Sequence, residues 1–223
     1  KGDEAFFGVT KAFHNGLHGA VEPITEQMFN IFRETTRQNL ASFQFTGDVI
    51  LVHDPQPAGL VARRKEIGRR WIWRCHIDVS APDMRVWNFL HPFVEQYDAA
   101  IFSMPDFAQR LSIPQYMVAP SIDPLSDKNK DLSPGFVSAV LAKYGINPER
   151  PVISQISRFD RLKDPLGVMA AYQLVKKRHD CQLVLAGGGA PDDPEGEAVL
   201  REVQERAGQD KDIHVLPLPP FSD

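Results

Sequence analysis

"DVILVHDPQPAGL", residues 48–60, is the stretch whose reading decides the fold. Val49–Val52 is a short aliphatic run, and it is cut off by His53, Asp54, Pro55, Gln56 and Pro57. Proline has no N–H for a strand ladder, and it steers the residue before it away from helix. A short apolar run with such a stop reads as a buried strand of a parallel sheet. In open sheets of that kind, functional groups gather just beyond the carboxyl ends of the strands. His53 and Asp54 stand at that position, held by a stiff loop. The plain alternative is a proline-rich turn whose aspartate caps backbone amides.

Working outward, similar runs recur at 71–77 ("WIWRCHI"), 98–104, 115–120, 151–157, 181–187 and 213–218. Between them lie segments with helical spacing of apolar residues, at 26–42, 84–97, 165–178 and 194–207. Strands alternating with helices predict βαβ units, with parallel sheets covered on both faces. The stretch "APSIDPLSDKNKDLSP", 119–134, is rich in Pro, Ser, Asp and Lys, and reads as a linker. The expected fold class is α/β, as parts of two Rossmann-like domains. The first spans 1–124 and the second, with the linker, 125–223; a single larger domain is the alternative reading. The second part has only three strands and looks unfinished for a domain of its kind.

The chain has 223 residues, 43% hydrophobic and 24% charged, which is enough apolar mass for a packed core. Its formal charge of −4 argues against nucleic acid or an anionic membrane surface as partner. Cys75 and Cys181 form neither a disulfide framework nor a zinc pattern, and a reducing cytoplasm is the simpler expectation. No apolar run has the length of a membrane span. Assembly as a homodimer is left open.

Four further constellations carry chemistry. The strand at 71–77 ends in "WRCHIDVS", placing His76 and Asp78 beside His53 and Asp54 if the strands are neighbours, about 5 Å apart. Two histidines and two aspartates there could line one cleft floor, or form a zinc or manganese site, although no HExxH pattern is present. In "SQISRFDRLKDP", 154–165, Arg158 and Lys163 flank a loop, and Asp164-Pro165 is a good start for a helix. Two cations beside a helix N-terminus suit a diphosphate, since exposed amides and the dipole both favour anions. The bland reading is a solvated loop in which Asp160, Arg161 and Lys163 neutralise one another. In "LVLAGGGAPDDPEG", 183–196, Gly187 and Gly188 would let a ligand approach the backbone, or would simply make a turn. No GxGxxG and no phosphate-loop motif occurs. Finally "FFGVTKAFHNGLHG", 6–19, with His14 and Asn15, reads either as a polar binding loop anchored by aromatics or as a surface excursion.

Together, "FFGVTKAFHNGL", "ILVHDPQPAGL", "WIWRCHIDVS", "APSIDPLSDKN", "ISRFDRLKD" and "DDPEG" resemble, in that order, the trehalose synthases of glycosyltransferase family 4. The resemblance runs along essentially the whole chain. It implies the GT-B fold of two facing Rossmann-like domains, with transfer of glucose from UDP- or ADP-glucose to glucose with retained configuration. On that resemblance Arg158 and Lys163 grip the donor diphosphate, with Gly187 and Gly188 nearby. Asp54 lies at the acceptor sugar and His76 faces the donor hexose. His53, Gln56, Asp78, His14 and Asn15 line the acceptor side. It implies neither cofactor nor metal, because the cations replace one. Members also carry a glycine-rich stretch before the counterpart of Lys1 and a glutamate pair after that of Asp223. The expectation is therefore an internal fragment with little transferase activity by itself. Rival readings are a trehalose phosphorylase of the same family, a metal-dependent phosphohydrolase built on His53, Asp54, His76 and Asp78, and a non-catalytic sugar-binding remnant.

Overall fold

The computed structural model describes residues 1–126, 128–188 and 194–219. The chain forms two units, Lys1–Ser121 and Ile122–Asp223. In the first, α1 (Glu4–Leu17) and α2 (Glu26–Ser42) precede β1 (Val49–His53). A short helix α3 (Arg64–Ile67) leads into β2 (Arg70–Arg74), then come α4 (Met84–Val94), β3 (Ala99–Phe102) and β4 (Gln115–Met117). The four strands are parallel, in the order β1-β2-β3-β4.

Residues 6–19 are neither loop nor excursion, because most of them lie in α1. Asp3 caps the helix, its side chain accepting from the Phe6 N–H, and Phe6, Val9, Phe13 and Leu17 are buried on one stripe. That i, i+3, i+4 spacing was present in the sequence beneath the polar residues. α4 stops at Val94, earlier than the predicted 97, with Pro92 in its last turn.

Alternation along the strands decides which side chains meet the helices. Ile50 and Val52, Trp71 and Trp73, and Ala100 and Phe102 join one core with Phe13, Phe32 and Leu90 from α1, α2 and α4. Trp71 and Trp73 are fully buried there, and each such side chain contributes about 3 kcal/mol. The opposite set is treated differently from the expectation. β1 is an edge strand, and Val49 and Leu51 remain 54% and 47% exposed. The sheet is thus not covered evenly on both faces, and "VILV" is only half buried.

The second unit contains α5 (Pro134–Lys143), which lies just past the linker and escaped the sequence reading. It continues with β5 (Val152–Ile156), α6 (Pro165–Lys176), β6 (Gln182–Gly188), α7 (Pro194–Ala207) and β7 (Ile213–Leu218). Its sheet is parallel, in the order β5-β6-β7. β6 runs down the centre with Gln182 to Gly187 buried, while β5 is again an exposed edge. Met169, Tyr172, Leu183, Leu185, Val199 and Val203 form the main core between sheet and helices.

Candidate functional site

The carboxyl ends of β1 and β2 are tied together by three hydrogen bonds that converge on Asp54. Its N–H donates to the Arg74 carbonyl at 2.8 Å, and its Oδ1 accepts from the His76 N–H at 2.8 Å. The Trp73 indole N–H donates to the Asp54 carbonyl at 2.9 Å. Asp54 itself is in the left-handed region, at φ 64°. A non-glycine residue bears strain there unless its surroundings fix it, and such residues cluster at functional sites. The strand therefore ends in a rigid corner that turns one carboxylate outward.

Beside it, His53 Nδ1 and His76 Nε2 are 2.8 Å apart, with the rings 8° from parallel. Both residues are exposed. Arg74 is buried at 6% exposure, and its guanidinium donates to the carbonyls of Phe102 and Val118 at 3.0 and 2.8 Å. That buried cation staples the ends of the neighbouring strands, which stiffens the platform carrying the histidines.

Asp78 turns toward its own loop. Its Oδ1 accepts from the Ser80 hydroxyl at 2.6 Å and the Ser80 N–H at 2.9 Å, and these bonds hold the carboxyl below its ordinary pKa. The charge of His18 adds to the effect. His14 and His18 stand one turn apart on α1 and just past its end, ring centroids 4.8 Å apart. Burial pushes the His14 imidazole below its usual value, and His18 pushes it further, while Asp54 acts in the opposite direction. His14 Nδ1 is buried without a hydrogen-bond partner. Asn15 donates to Glu22 Oε1 at 2.9 Å, and a side-chain hydrogen bond between Asn15 and His14 raises the imidazole against the burial effect. Gln56 is half-buried, and among the described residues its amide makes no protein hydrogen bond.

The structure therefore brings His53, Asp54 and His76 into one corner, while His14 pairs with His18 at the end of α1. His18 was missed, although the i, i+4 spacing of the two histidines would have shown it once 6–19 was read as helix. Among the described residues, no group of three or more His, Cys, Asp or Glu side chains could hold a metal ion. Cys75 lies buried beneath this corner, and burial pushes its thiol up to about 12; both cysteines are free.

The second unit carries its own cluster at the carboxyl end of β5. Asp160 is buried, accepts from the Lys163 N–H at 3.0 Å and pairs with the Arg158 guanidinium at 3.2 Å. Arg161 points elsewhere, to Glu202 on α7 at 2.7 Å. The mutual neutralisation considered for Asp160, Arg161 and Lys163 is thus not the arrangement adopted. The Lys163 ammonium is exposed, and among the described residues no carboxylate pairs with it. Asp164, at φ 47°, caps α6 by accepting from the Gly167 N–H at 3.0 Å. Arg158 and Lys163 thus belong to one loop that leads into a helix start capped by Asp164.

Gly187 has a clear structural reason. A Cβ there would lie 1.7 Å from the Ser157 carbonyl oxygen, so the β5 and β6 ends can approach only at glycine. Gly188 closes β6, paired with Leu218. The rest of the glycine run and "DD" of "DDPEG" fall outside the described residues.

Parallel sheets with polar groups at their carboxyl ends define an α/β protein built of two Rossmann-like units. A structure of the trehalose-6-phosphate synthase OtsA superposes with a TM-score of 0.74 over 99% of this chain and 59% of that one, at 13% identity. An E. coli structure bound with UDP-2-fluoro glucose gives 0.69 over 99% and 61%, at 12% identity. Residues 1–109 match the family described as trehalose synthase, N-terminal domain. The trehalose synthase of Thermococcus litoralis is 42% identical over 97% of this chain and 53% of its own length. The trehalose phosphorylase of Pleurotus pulmonarius is 26% identical over 97% and 36%. The chain is similar to trehalose synthases along nearly its whole length, and it spans about half the length of the curated relatives it matches.

Proposed function

We propose that this protein is a retaining glycosyltransferase that moves glucose from a nucleotide sugar, UDP- or ADP-glucose, to a second glucose, forming trehalose. The observation that carries this reading is the rigid corner at Asp54. It presents one carboxylate and two imidazoles, with no metal-type convergence among the described residues. A carboxylate and imidazole rings bind hydroxyl groups, which both donate and accept. Asp54 takes the acceptor sugar and His76 orients the donor hexose.

On the second unit, Arg158 and Lys163 receive the diphosphate. As the bond from the sugar anomeric carbon to the phosphate oxygen breaks, negative charge grows on that oxygen, and fixed cations lower the barrier by stabilising it. The acceptor oxygen bonds to the same face of the anomeric carbon. Its proton passes to the departing phosphate oxygen, so atoms and charge balance without a further base.

Titration calorimetry with UDP, UDP-glucose, ADP-glucose, glucose and trehalose tests the reading. Binding of a nucleotide that Arg158→Ala weakens, and of a sugar that Asp54→Ala weakens, is the expected result. A folded chain that binds neither nucleotide nor sugar overturns it. Consumption of trehalose that depends on inorganic phosphate would instead favour a phosphorylase, for which the 26% identical relative is the supporting observation.

A further inference from the structure

The corner beyond β1 holds a feature that sugar binding alone does not require: two imidazoles hydrogen-bonded to each other in an exposed position. His53 Nδ1 and His76 Nε2 are 2.8 Å apart, the ring centroids are 5.1 Å apart, and the planes differ by 8°. Face-stacked rings would bring the centroids much closer than this. The spacing is what remains when the rings lie side by side and nitrogen points at nitrogen, the geometry of an in-plane N–H···N bond. Among the described residues, no other hydrogen bond restrains either ring. His76 hangs from a backbone N–H held by Asp54 Oδ1, and His53 sits opposite Arg74 in the β1–β2 register. Both backbones are therefore fixed, and the rings fix each other.

We infer that His53 is a positioning residue, whose Nδ1 sets the orientation and the proton placement of the His76 imidazole. A neutral imidazole has one N–H and one bare nitrogen. When one ring donates to the other, the two outward nitrogens, His53 Nε2 and His76 Nδ1, must be opposite in kind. If His53 Nδ1–H donates, His76 Nδ1 carries the proton outward and His53 Nε2 is bare. If His76 Nε2–H donates, the roles reverse. When both rings are neutral, the pair shows one donor and one acceptor, and the two switch together.

A hydroxyl can rotate to match either state, whereas a group that only accepts, such as a phosphate oxygen, matches a given ring in one state alone. The pair thus selects for polyol hydroxyls, which deepens the proposed function and rests on its assignment of this corner to sugars.

The test uses the whole chain labelled with 15N-histidine. In the wild type, a nitrogen–nitrogen coupling between His53 Nδ1 and His76 Nε2 is expected by NMR. His53→Phe keeps a flat ring but removes the bond, and His53→Asn places an amide near the position of Nδ1. With urea melts showing the variants folded, His53→Phe is expected to weaken glucose or trehalose binding about fivefold, the size of one lost net hydrogen bond. His53→Asn is expected to restore most of that loss, a rescue that a purely steric role would not give.

A folded wild type with no such coupling overturns the inference. So does wild-type affinity in His53→Phe, or failure of His53→Asn to improve on it. If the wild type binds neither sugar, the sugar reading fails and the NMR result alone decides whether His53 positions His76.

Discussion

Replacing Asp54 separates the two forces that shape the strand-end corner. The native residue holds φ 64° and accepts the His76 N–H at 2.8 Å. A hydrogen bond to a charged acceptor contributes about 1.5 kcal/mol at the low end of its range, appropriate to a half-buried group. Left-handed backbone costs an ordinary L-residue about 1–2 kcal/mol, less for Asp or Asn, and nothing for Gly. Glycine gives back about 0.4–1 kcal/mol through its freer unfolded chain.

Asp54→Asn keeps an acceptor and the tolerated backbone, so it should lose only about 0.5 kcal/mol. Asp54→Gly loses the bond but sheds the strain, for a net loss of about 1–1.5 kcal/mol. Asp54→Ala loses the bond and gains strain, for about 2 kcal/mol. The sign is the sharp part: in ordinary backbone alanine is the more stabilising residue, whereas here glycine should exceed it by about 0.5–1 kcal/mol.

Urea unfolding followed by tryptophan fluorescence is the assay. Trp71, Trp73 and Trp87 are the chain's only tryptophans, and all lie within Lys1–Ser121. The signal therefore reports that unit alone, and Trp73 itself bonds Asp54. At a slope of about 2 kcal/mol/M, the glycine variant should unfold about 0.25–0.5 M later than the alanine variant. An alanine variant as stable as the glycine one would refute the strained-corner account.

Arg158→Ala and Lys163→Ala should each weaken UDP binding about tenfold, while Arg161→Ala should leave it unchanged because Arg161 is drawn away to Glu202 on α7, whereas the partner of Arg158, Asp160, lies in the same loop; equal effects of all three by calorimetry would count against the assignment. Gly187→Ala should destabilise the second unit by about 1–3 kcal/mol, as its Cβ meets the Ser157 carbonyl; far-UV circular dichroism with an unchanged tryptophan transition is the expected pattern. Asp98 accepts from Arg64 and from the Trp71 N–H at 2.8 Å, which holds its carboxyl below the usual range. Its contribution to stability is therefore full above the unfolded value of about 3.9 and is lost as pH falls through the lowered folded value. Asp98→Asn should flatten the decline of the urea midpoint below pH about 4; an unchanged slope would contradict it.

Much of this architecture is local and was legible in the residue order. Aliphatic runs closed by proline or glycine marked the strands, 3.6-residue spacing marked α2, α4, α6 and α7, and Asp164-Pro165 marked the start of α6. The resemblance of the ordered motifs supplied the family. The helix at Glu4–Leu17 was legible too, in its Phe6, Val9, Phe13, Leu17 stripe, but polar residues between them hid it.

Other features exist only between segments distant in the chain, and no local pattern encodes them. That Val49 and Leu51 are exposed follows from β1 lying at a sheet edge, which is a matter of strand order. That Gly187 must lack a side chain follows from the approach of Ser157 on a neighbouring strand. Above all, the sequence by itself placed His53 and His76 at two strand ends, while only the parallel register of β1 on β2 brought their ring nitrogens to 2.8 Å. Residue type sets what a group can donate or accept, and chain folding across that register decides which partner it meets.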